Sequence, residues 1–256
     1  MSNVVLKTEG ISKSFGGVKA VQQFSMELHE HEIKGIIGPN GAGKTTIFNL
    51  LSHIILPDEG KIFLLGEDIE NKSQEEVAQM GLSRTFQSIR LFAGLNVLDN
   101  VKVGLDNEGK YNLFDAMFLT PRRWKEEKRI HNAAMECLTM LNLEKYKDYR
   151  SNNLPYGIQR RVEIARAIVS RPKILLLDEP AAGLLPEEVF ELIDFIRLIK
   201  EKFELSIIVI EHRMDLIMNL CSEILVQDFG KTIACGTPKE LQCDPRVLAA
   251  YLGEEE

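Results

Sequence analysis

The residues best suited to chemistry lie in a glycine-rich stretch between an apolar strand and a helix-compatible segment. Ile33 to Ile37 form the predicted strand, and Gly38 to Thr45 then follow the spacing G-x-x-x-x-G-K-[ST]. Backbone N–H groups of such a turn surround a phosphate, and the following helix N-terminus adds unpaired donors and a positive dipole end. A chance glycine-rich turn is the alternative, but the strand before it and the helix after it favour a nucleoside triphosphate site.

Three side chains near this stretch have predicted roles toward the nucleotide. Lys44 is expected to reach the outer phosphates, and the Thr45 hydroxyl is expected to ligate Mg²⁺. Phe15 stands beside two glycines, where an exposed ring could stack on adenine. A phenylalanine next to a strand is more often a core residue, so both interpretations of Phe15 stay open.

Polar residues follow three further predicted strands at the point where each strand ends. Gln87 follows one strand, Asp178 and Glu179 follow the second, and His212 closely follows the third. In a mostly parallel sheet, ligands bind at the carboxyl ends of the strands. The sequence therefore predicts that these residues and the glycine-rich loop converge on one pocket.

Each of these polar residues suits one task in phosphate chemistry. Asp178 and Gln87 suit contacts to Mg²⁺, Asp178 either directly or through a second shell. Glu179 can orient and deprotonate an attacking water, and His212 can hydrogen-bond the terminal phosphate. The structural alternatives are an ordinary strand-end turn for the acidic pair and a structural histidine at 212.

The elements that must position these residues alternate between apolar strands and helices. Strands are predicted at Val4–Glu9, Phe24–Leu28, Ile33–Ile37, Lys61–Leu65, Leu82–Phe86, Lys173–Leu177, Ser206–Ile210, Glu223–Gln227 and Lys231–Cys235. Ser73 and Glu76 form a capping-box pattern for a short helix, and helices are predicted at Trp124–Leu141 and Pro186–Lys202. This alternation predicts an α/β fold with a mostly parallel sheet covered on both faces.

The composition suits a soluble globular chain of 256 residues, with 45% hydrophobic and 27% charged residues. No run of 18 apolar residues occurs, and the N-terminus lacks a secretion-signal layout, so we expect neither a membrane span nor export. The net charge of −7 argues against nucleic acid as the main partner. The four cysteines contain no C-x-x-C pair and are expected to be reduced structural thiols.

Two other groups of residues have a functional and a structural interpretation. His29 and His31 could bind a metal, but a solvated turn between strands is favoured. Apolar side chains mixed with basic ones could touch a membrane or a partner, or could pack within a helical subdomain. The apolar members are Phe114, Met117, Phe118, Leu119 and Trp124.

Taken in order, the motifs resemble those of an ATP-binding cassette (ABC) ATPase over essentially the whole chain. Phe15 matches the adenine-stacking aromatic, Gln87 the Q-loop glutamine, and Leu154 to Arg161 the signature loop. Ile174 to Glu179 match the Walker B strand and catalytic glutamate, Ala182 to Leu185 the D-loop, and His212 the switch histidine. The ATP contacts that the resemblance implies are Gly38, Pro39, Asn40, Gly41, Ala42, Gly43, Lys44, Thr45 and Thr46, with Tyr156 and Gly157 acting in trans.

The resemblance implies a P-loop NTPase core at about 1–88 and 161–256, with N-terminal antiparallel strands and a helical subdomain inserted at about 89–160. It implies ATP and Mg²⁺ as cofactors, with Glu179 and His212 catalytic and Thr45, Gln87 and Asp178 near the metal. It also implies a second cassette, transmembrane permeases and, indirectly, a solute-binding protein as partners. The chain would then be cytoplasmic and peripheral on the inner face of the cell membrane.

Three departures from the family pattern bear on mechanism. Pro155 replaces the signature serine, so a hydroxyl contact to the γ-phosphate is lost, although Gly157 and the helix dipole remain. Leu185 stands where the D-loop usually ends in a polar residue, which puts coupling between the two sites in doubt. Arg213 follows the switch histidine where an acidic residue is common, and the sequence alone suggests no consequence.

Subfamily features narrow the expected solute. The segments L-P-Y-G-x-Q-R-R-V-E-I-A-R and E-P-A-A-G-L and the ending D-P-R-V-L-A-A-Y-L-G-E are similar to cassettes of branched-chain amino-acid importers, as is the longer helical insert near Leu113 to Arg129. Urea or amide importers and lipopolysaccharide exporters share parts of this pattern. Outside transport, the core motifs would also suit a cassette that acts on DNA or ribosomes, or a nucleotide-binding regulator that scarcely hydrolyses ATP.

Overall fold

The architecture is that of a computed structural model, which describes residues 3–105 and 121–252. The predicted apolar positions Phe114, Met117, Phe118 and Leu119 lie outside the described residues. The strands are β1 (Val4–Phe15), β2 (Val18–His29), β3 (Ile33–Ile37), β4 (Glu59–Leu64), β5 (Glu67–Asp68), β6 (Leu82–Arg84), β7 (Ile174–Asp178), β8 (Ser206–Ile210), β9 (Glu223–Asp228) and β10 (Lys231–Gly236). The helices are α1 (Lys44–Leu51), α2 (Gln74–Gln79), α3 (Val97–Val103), α4 (Pro121–Met140), α5 (Tyr156–Ile168), α6 (Pro186–Phe203), α7 (Met214–Leu220), α8 (Pro238–Leu241) and α9 (Pro245–Leu252).

The chain divides into two compact units. One unit consists of Met1–Gln87 and Pro172–Glu256 and contains both sheets, and the other is the helical unit Ser88–Arg171. The boundary expected at about residue 160 falls inside α5, which runs without a break from Tyr156 to Ile168.

The larger sheet has the strand order β10-β9-β3-β8-β7-β6, in which β10 alone runs antiparallel to its neighbour. Every residue of β3, β7 and β8 is buried, as expected for strands covered on both faces. The prediction of a mostly parallel sheet is confirmed. Residues Ile36 of β3 and Asp178 of β7 both stand opposite Ile210 of β8, so the carboxyl ends of these three strands are level.

The smaller sheet is antiparallel, with the order β2-β1-β4-β5. Its first two strands are longer than the sequence predicts, because the hairpin continues until Phe15 stands opposite Val18. The outer half of the hairpin is polar, and Gly10 sits at a register shift with φ of 59°. Apolar side chains from both sheets and α1 form one core, among them Phe24, Leu28 and Phe48.

Local hydrogen bonds explain where several helices begin and end. The capping box predicted for α2 is confirmed, since Ser73 Oγ accepts from the Glu76 amide and Glu76 accepts from the Ser73 amide. Helix α6 begins with Pro186, carries acidic residues in its first turn and basic residues in its last, and ends at a left-handed Glu204.

Two short helices near the C-terminus were not predicted. Thr237 Oγ1 accepts from the Glu240 amide and starts α8, and Pro245 begins α9. Strand β6, in contrast, ends at Arg84 and not at the predicted Phe86. Within the described ranges 3–105 and 121–252, no helix has both the length and the apolar character needed to cross a membrane.

Candidate active site

The glycine-rich loop joins the end of β3 to the start of α1 and packs its backbone closely against neighbouring strands. A Cβ atom on Gly38 would lie 2.0 Å from the carbonyl oxygen of Gln227, and one on Gly43 would lie 2.1 Å from that of Ala20. Gly43 also has φ of 97°, in the left-handed region. A side chain is therefore excluded at both positions, and the backbone of the loop that precedes α1 packs directly against these two neighbouring carbonyls.

Lys44 begins α1 and is only 6% exposed. Its Nζ donates to the carbonyl oxygens of Gly38 and Pro39, at 2.7 Å in each case. Helix α1 has no side-chain cap at its N-terminus and no acidic residue in its first turn. The N-terminal amides and the dipole of this helix therefore present positive potential that no side chain of the first turn offsets.

A cleft with a volume of 310 Å³ opens over this loop. Its walls come from the glycine-rich loop, from the start of β2, and from loops that follow β7, β8 and β9. The lining residues are Val18, Lys19, Ala20, Asn40, Gly41, Ala42, Gly43, Lys44, Thr45, Thr46, Glu179, His212 and Phe229. The cleft thus contains most of the predicted triphosphate contacts and both predicted catalytic residues.

Glu179 is held from both sides by polar side chains. Its Oε1 lies 2.9 Å from His212 Nε2, and its Oε2 accepts from Gln87 Nε2 at 2.7 Å. The Glu179 backbone has φ of 44°, an unusual conformation for a residue other than glycine, and its amide donates to Ile210 O at 2.9 Å. Strained backbone of this kind is concentrated at functional sites.

Asp178 does not line the cleft, although the sequence predicted that it would converge there. It is 5% exposed, and its Oδ2 pairs with Nη2 of Arg84 at 2.7 Å. Arg84 also donates to Asn49 Oδ1 at 2.8 Å and to Ser52 Oγ at 3.0 Å. The physical reason is that a buried carboxylate at a strand end is satisfied by a buried cation from the neighbouring strand β6.

The aromatic ring at the cleft is not the predicted one. Phe15 ends β1 with 49% of its surface exposed, lies under Lys13 Nζ at 5.9 Å, and is absent from the cleft lining. Phe229, in the turn between β9 and β10, lines the cleft and is 82% exposed. The only sequence signal for Phe229 was an aromatic residue next to Gly230 in a hairpin turn.

The residues predicted to act in trans lie in the helical unit. Tyr156 and Gly157 are the first residues of α5, and Tyr156 is 41% exposed. Pro155 is the N-cap and makes no side-chain capping bond, and the first turn contains no acidic residue. Their contact with a second chain stays a prediction.

Two buried charged residues were missed by the sequence analysis. Arg84 appeared only as a charge inside a predicted strand, which was itself a signal for a buried ion pair. Glu211 is 2% exposed and accepts from the backbone amides of Ala181, His212 and Arg213. Burial raises the pKa of the Glu211 carboxyl, the three N–H donors oppose that rise, and the charge of Glu179 adds to it.

The oxygen donors that the sequence predicts for a divalent cation are the Thr45 hydroxyl, the Gln87 amide and the Asp178 carboxylate, and of these three residues Thr45 lines the cleft whereas Gln87 and Asp178 do not. These are the hard ligands that Mg²⁺ prefers, and Mg²⁺ completes its shell with water and phosphate oxygens. In the part of the chain that the structure describes, no cluster of three or more His, Cys, Asp and Glu side chains is arranged to hold a metal. His29 is one of the two histidines for which the sequence leaves a metal site open. Its Nδ1 lies 3.4 Å from Glu32 Oε2.

Two family models match the chain. The model described as ABC transporter matches residues 21–182. The model described as branched-chain amino acid ATP-binding cassette transporter matches residues 231–256.

Curated relatives match over nearly the full length. The high-affinity branched-chain amino acid transport ATP-binding protein LivG of Salmonella typhimurium is 41% identical, covering 99% of this chain and 100% of LivG. LivG of Escherichia coli K12 is 40% identical, and BraF of Pseudomonas aeruginosa, also described as a branched-chain amino acid transport ATP-binding protein, is 38% identical, with the same coverage.

Solved structures share the fold. A nucleotide-free ATP-binding cassette from an ABC transporter superposes with a TM-score of 0.84 at 32% identity, covering 97% of this chain and 99% of that one. An ABC transporter cassette in its ADP conformation gives a TM-score of 0.85 at 30% identity, covering 98% of this chain and 100% of that one.

Proposed function

This chain belongs to the ABC transporter ATP-binding cassettes, and on that premise we propose that it is the ATP-hydrolysing subunit of an importer for branched-chain amino acids. The observation that carries the ATPase proposal is the cleft that brings the glycine-rich loop, Glu179 and His212 together. The solute is supported by the full-length similarity to LivG and BraF and by the match of residues 231–256.

The triphosphate is held by the amides of the glycine-rich loop and by the N-terminus of α1. Gly41 and Gly43 both have positive φ, which turns successive N–H groups toward the same concavity. Lys44 supplies the cation of the cradle, and the Thr46 side chain follows it in the cleft lining. We propose that the base lies at the mouth of the cleft. Phe15, which is 49% exposed at the end of β1, is the stacking partner expected from the sequence, and Phe229, which lines the cleft, is the alternative.

Glu179 is proposed to accept the proton of the attacking water. Both of its carboxylate oxygens are already oriented, one by His212 at 2.9 Å and the other by Gln87 at 2.7 Å. These contacts hold the base in one position, which lowers the entropic cost of reaching the reactive geometry. We propose that His212, which lines the cleft, also hydrogen-bonds phosphate oxygens as their charge rises.

Mg²⁺, when bound, neutralises charge on the phosphates. Thr45 lines the cleft and is the proposed direct ligand. Gln87, whose Nε2 donates to Glu179, is proposed as a second oxygen ligand. Asp178 is proposed to act on the metal through its carboxylate while Arg84 holds its Oδ2. The contacts that orient two of these side chains are the bond from Gln87 to Glu179 and the pair of Asp178 with Arg84.

We propose that two cassettes pair so that Tyr156 and Gly157 of one face the nucleotide of the other. The uncapped first turn of α5 supports this, because free helix amides favour an anionic phosphate. Pro155 removes one contact, so pairing is expected to be weaker than with serine. Transmembrane permeases at the cytoplasmic face of the cell membrane and a solute-binding protein would complete the importer.

Glu179→Gln tests the ATPase proposal, and Glu201→Gln, at an exposed position of helix α6, is the control. Phosphate release from ATP should fall at least about 100-fold in Glu179→Gln, since removing a positioned general base costs about that much. Binding of a fluorescent ATP analogue should stay within twofold of wild type in both variants. Hydrolysis by Glu179→Gln near the wild-type rate would refute the role of the glutamate.

Uptake measurements test the solute. Cells that contain the permeases and the wild-type cassette should accumulate radiolabelled leucine, and cells with Glu179→Gln should not. Unlabelled isoleucine and valine should compete for uptake, whereas urea should not. Competition by urea alone would favour the urea or amide importer.

A further inference from the structure

Two loops carry the proposed base and its histidine partner, and both follow strands of the large sheet. Residues Ala181–Leu185 come just after Glu179 at the end of β7, and Glu211–Arg213 come just after β8. Glu179 and His212 contact each other at 2.9 Å, so their activity depends on how these two loops are held together.

Glu211 ties the two loops from inside the protein. Its Oε1 accepts from the Ala181 amide at 2.7 Å, while its Oε2 accepts from the His212 amide at 2.8 Å and from the Arg213 amide at 3.1 Å. The residue is 2% exposed. A buried carboxylate is costly to keep, and these backbone donors are what compensates it.

Arg213 ties the same loops at a second point. Its Nη1 donates to the carbonyl oxygen of Leu184 at 3.2 Å. Asp215 pairs with its Nη2 at 2.9 Å and thereby fixes the orientation of the guanidinium. The carbonyl of Leu184 lies one residue before Leu185, whose side chain is 63% exposed.

We propose that Glu211 and Arg213 form a clamp that makes the loop after β7 and the loop after β8 move as one body, and so positions Glu179 against His212. Neither residue belongs to the cleft lining, so both are positioning residues. The proposal rests on the ATPase function above. The clamp gives Arg213 a role. It also lets a displacement of the backbone at Leu185 be transmitted to the Glu179–His212 pair without a polar side chain at position 185.

Arg213→Ala is the main test, with Arg213→Lys as the conservative variant. Arg197→Ala is the matched control, because Arg197 Nη2 also donates to a backbone carbonyl, that of Asn219, at 2.6 Å. We expect Arg213→Ala to lower kcat at least tenfold while KM for ATP and the Kd of a fluorescent ATP analogue stay within twofold. Arg213→Lys should recover part of kcat, because lysine can still donate to Leu184 O, and Arg197→Ala should behave as wild type.

A double-mutant cycle with His212→Ala separates positioning from a general structural effect. If Arg213 acts through His212, then adding Arg213→Ala to His212→Ala should lower kcat less than twofold further. Glu211→Gln, which keeps the shape of the side chain but offers the amides a single acceptor oxygen, should give the same pattern.

The clamp would be overturned if the losses of kcat in Arg213→Ala and His212→Ala were fully additive in the double variant. A kcat of Arg213→Ala equal to that of wild type would also overturn it. A wild-type protein that binds ATP without hydrolysing it would instead refute the ATPase proposal, so the two failures can be told apart.

Discussion

The buried pair of Arg84 and Asp178 gives a quantitative prediction about stability. Its two side chains are each 7% exposed, and the Nη2–Oδ2 distance is 2.7 Å. The pair of Arg171 and Glu136 has the same N–O distance, but its side chains are 64% and 55% exposed. The two ion pairs therefore have the same N–O distance and differ in burial, so comparing them isolates the effect of burial.

Arg84→Ala should lower the free energy of unfolding by about 3–5 kcal/mol, because it leaves the Asp178 carboxylate buried without its cation. Arg171→Ala should lower it by at most about 1 kcal/mol, since an exposed pair gains little over hydration. At about 2–4 °C per kcal/mol for a chain of this size, Tm should fall by about 6–20 °C in Arg84→Ala.

Urea and thermal unfolding followed by circular dichroism measure both variants. A double variant checks the reasoning. Arg84→Met combined with Asp178→Leu should be more stable than Arg84→Ala, because neither charge then remains buried. Losses that agree within about 1 kcal/mol for Arg84→Ala and Arg171→Ala would show that burial does not set the strength of these pairs.

Three further predictions concern the loop, the thiols and a helix cap. Gly43→Ala should weaken binding of a fluorescent ATP analogue far more than Gly41→Ala, because a Cβ at 43 would meet backbone at 2.1 Å whereas one at 41 meets nothing within 4 Å. Burial raises the pKa of the Cys137 and Cys221 thiols to about 12, so at pH 8 they stay protonated, and Ellman's reagent should reach them only after unfolding, although it reaches the exposed thiols at once. Ser73→Ala should cost about 1 kcal/mol of stability in urea unfolding, because α2 loses its side-chain cap, and an unchanged midpoint would contradict that.

The sequence predicted best those elements whose cause is local. Strands β3 and β8 were predicted to the residue, since each is an apolar run bounded by turn signals. The outer hairpin of β1 and β2 was missed because it is polar and depends on distant partners, as when Lys13 pairs with Asp58 at 2.6 Å. Helices α8 and α9 were missed because they are short, and their only signals were a cap residue and proline.

The same division holds in the site. The glycine-rich loop could be placed from spacing, because its ligand-binding groups are backbone amides of consecutive residues. The hydrogen-bond partners of Asp178 and Glu211 could not be predicted from the sequence, because they depend on how strands β6, β7 and β8 lie side by side. Apolar periodicity shows that a residue is buried, but it does not show which charge compensates it.

The contacts of Lys44 have a consequence for how its charge contributes to the affinity for the nucleotide and to the rate of hydrolysis. Its ammonium donates to two carbonyl oxygens of its own loop, and these two bonds fix the position of the cation within that loop. Where a phosphate oxygen replaces one of those carbonyls, the binding affinity gains only the difference between the two hydrogen bonds. The attraction between the ammonium and the phosphates grows as charge builds on the phosphate oxygens in the transition state, and only such a growing interaction raises kcat.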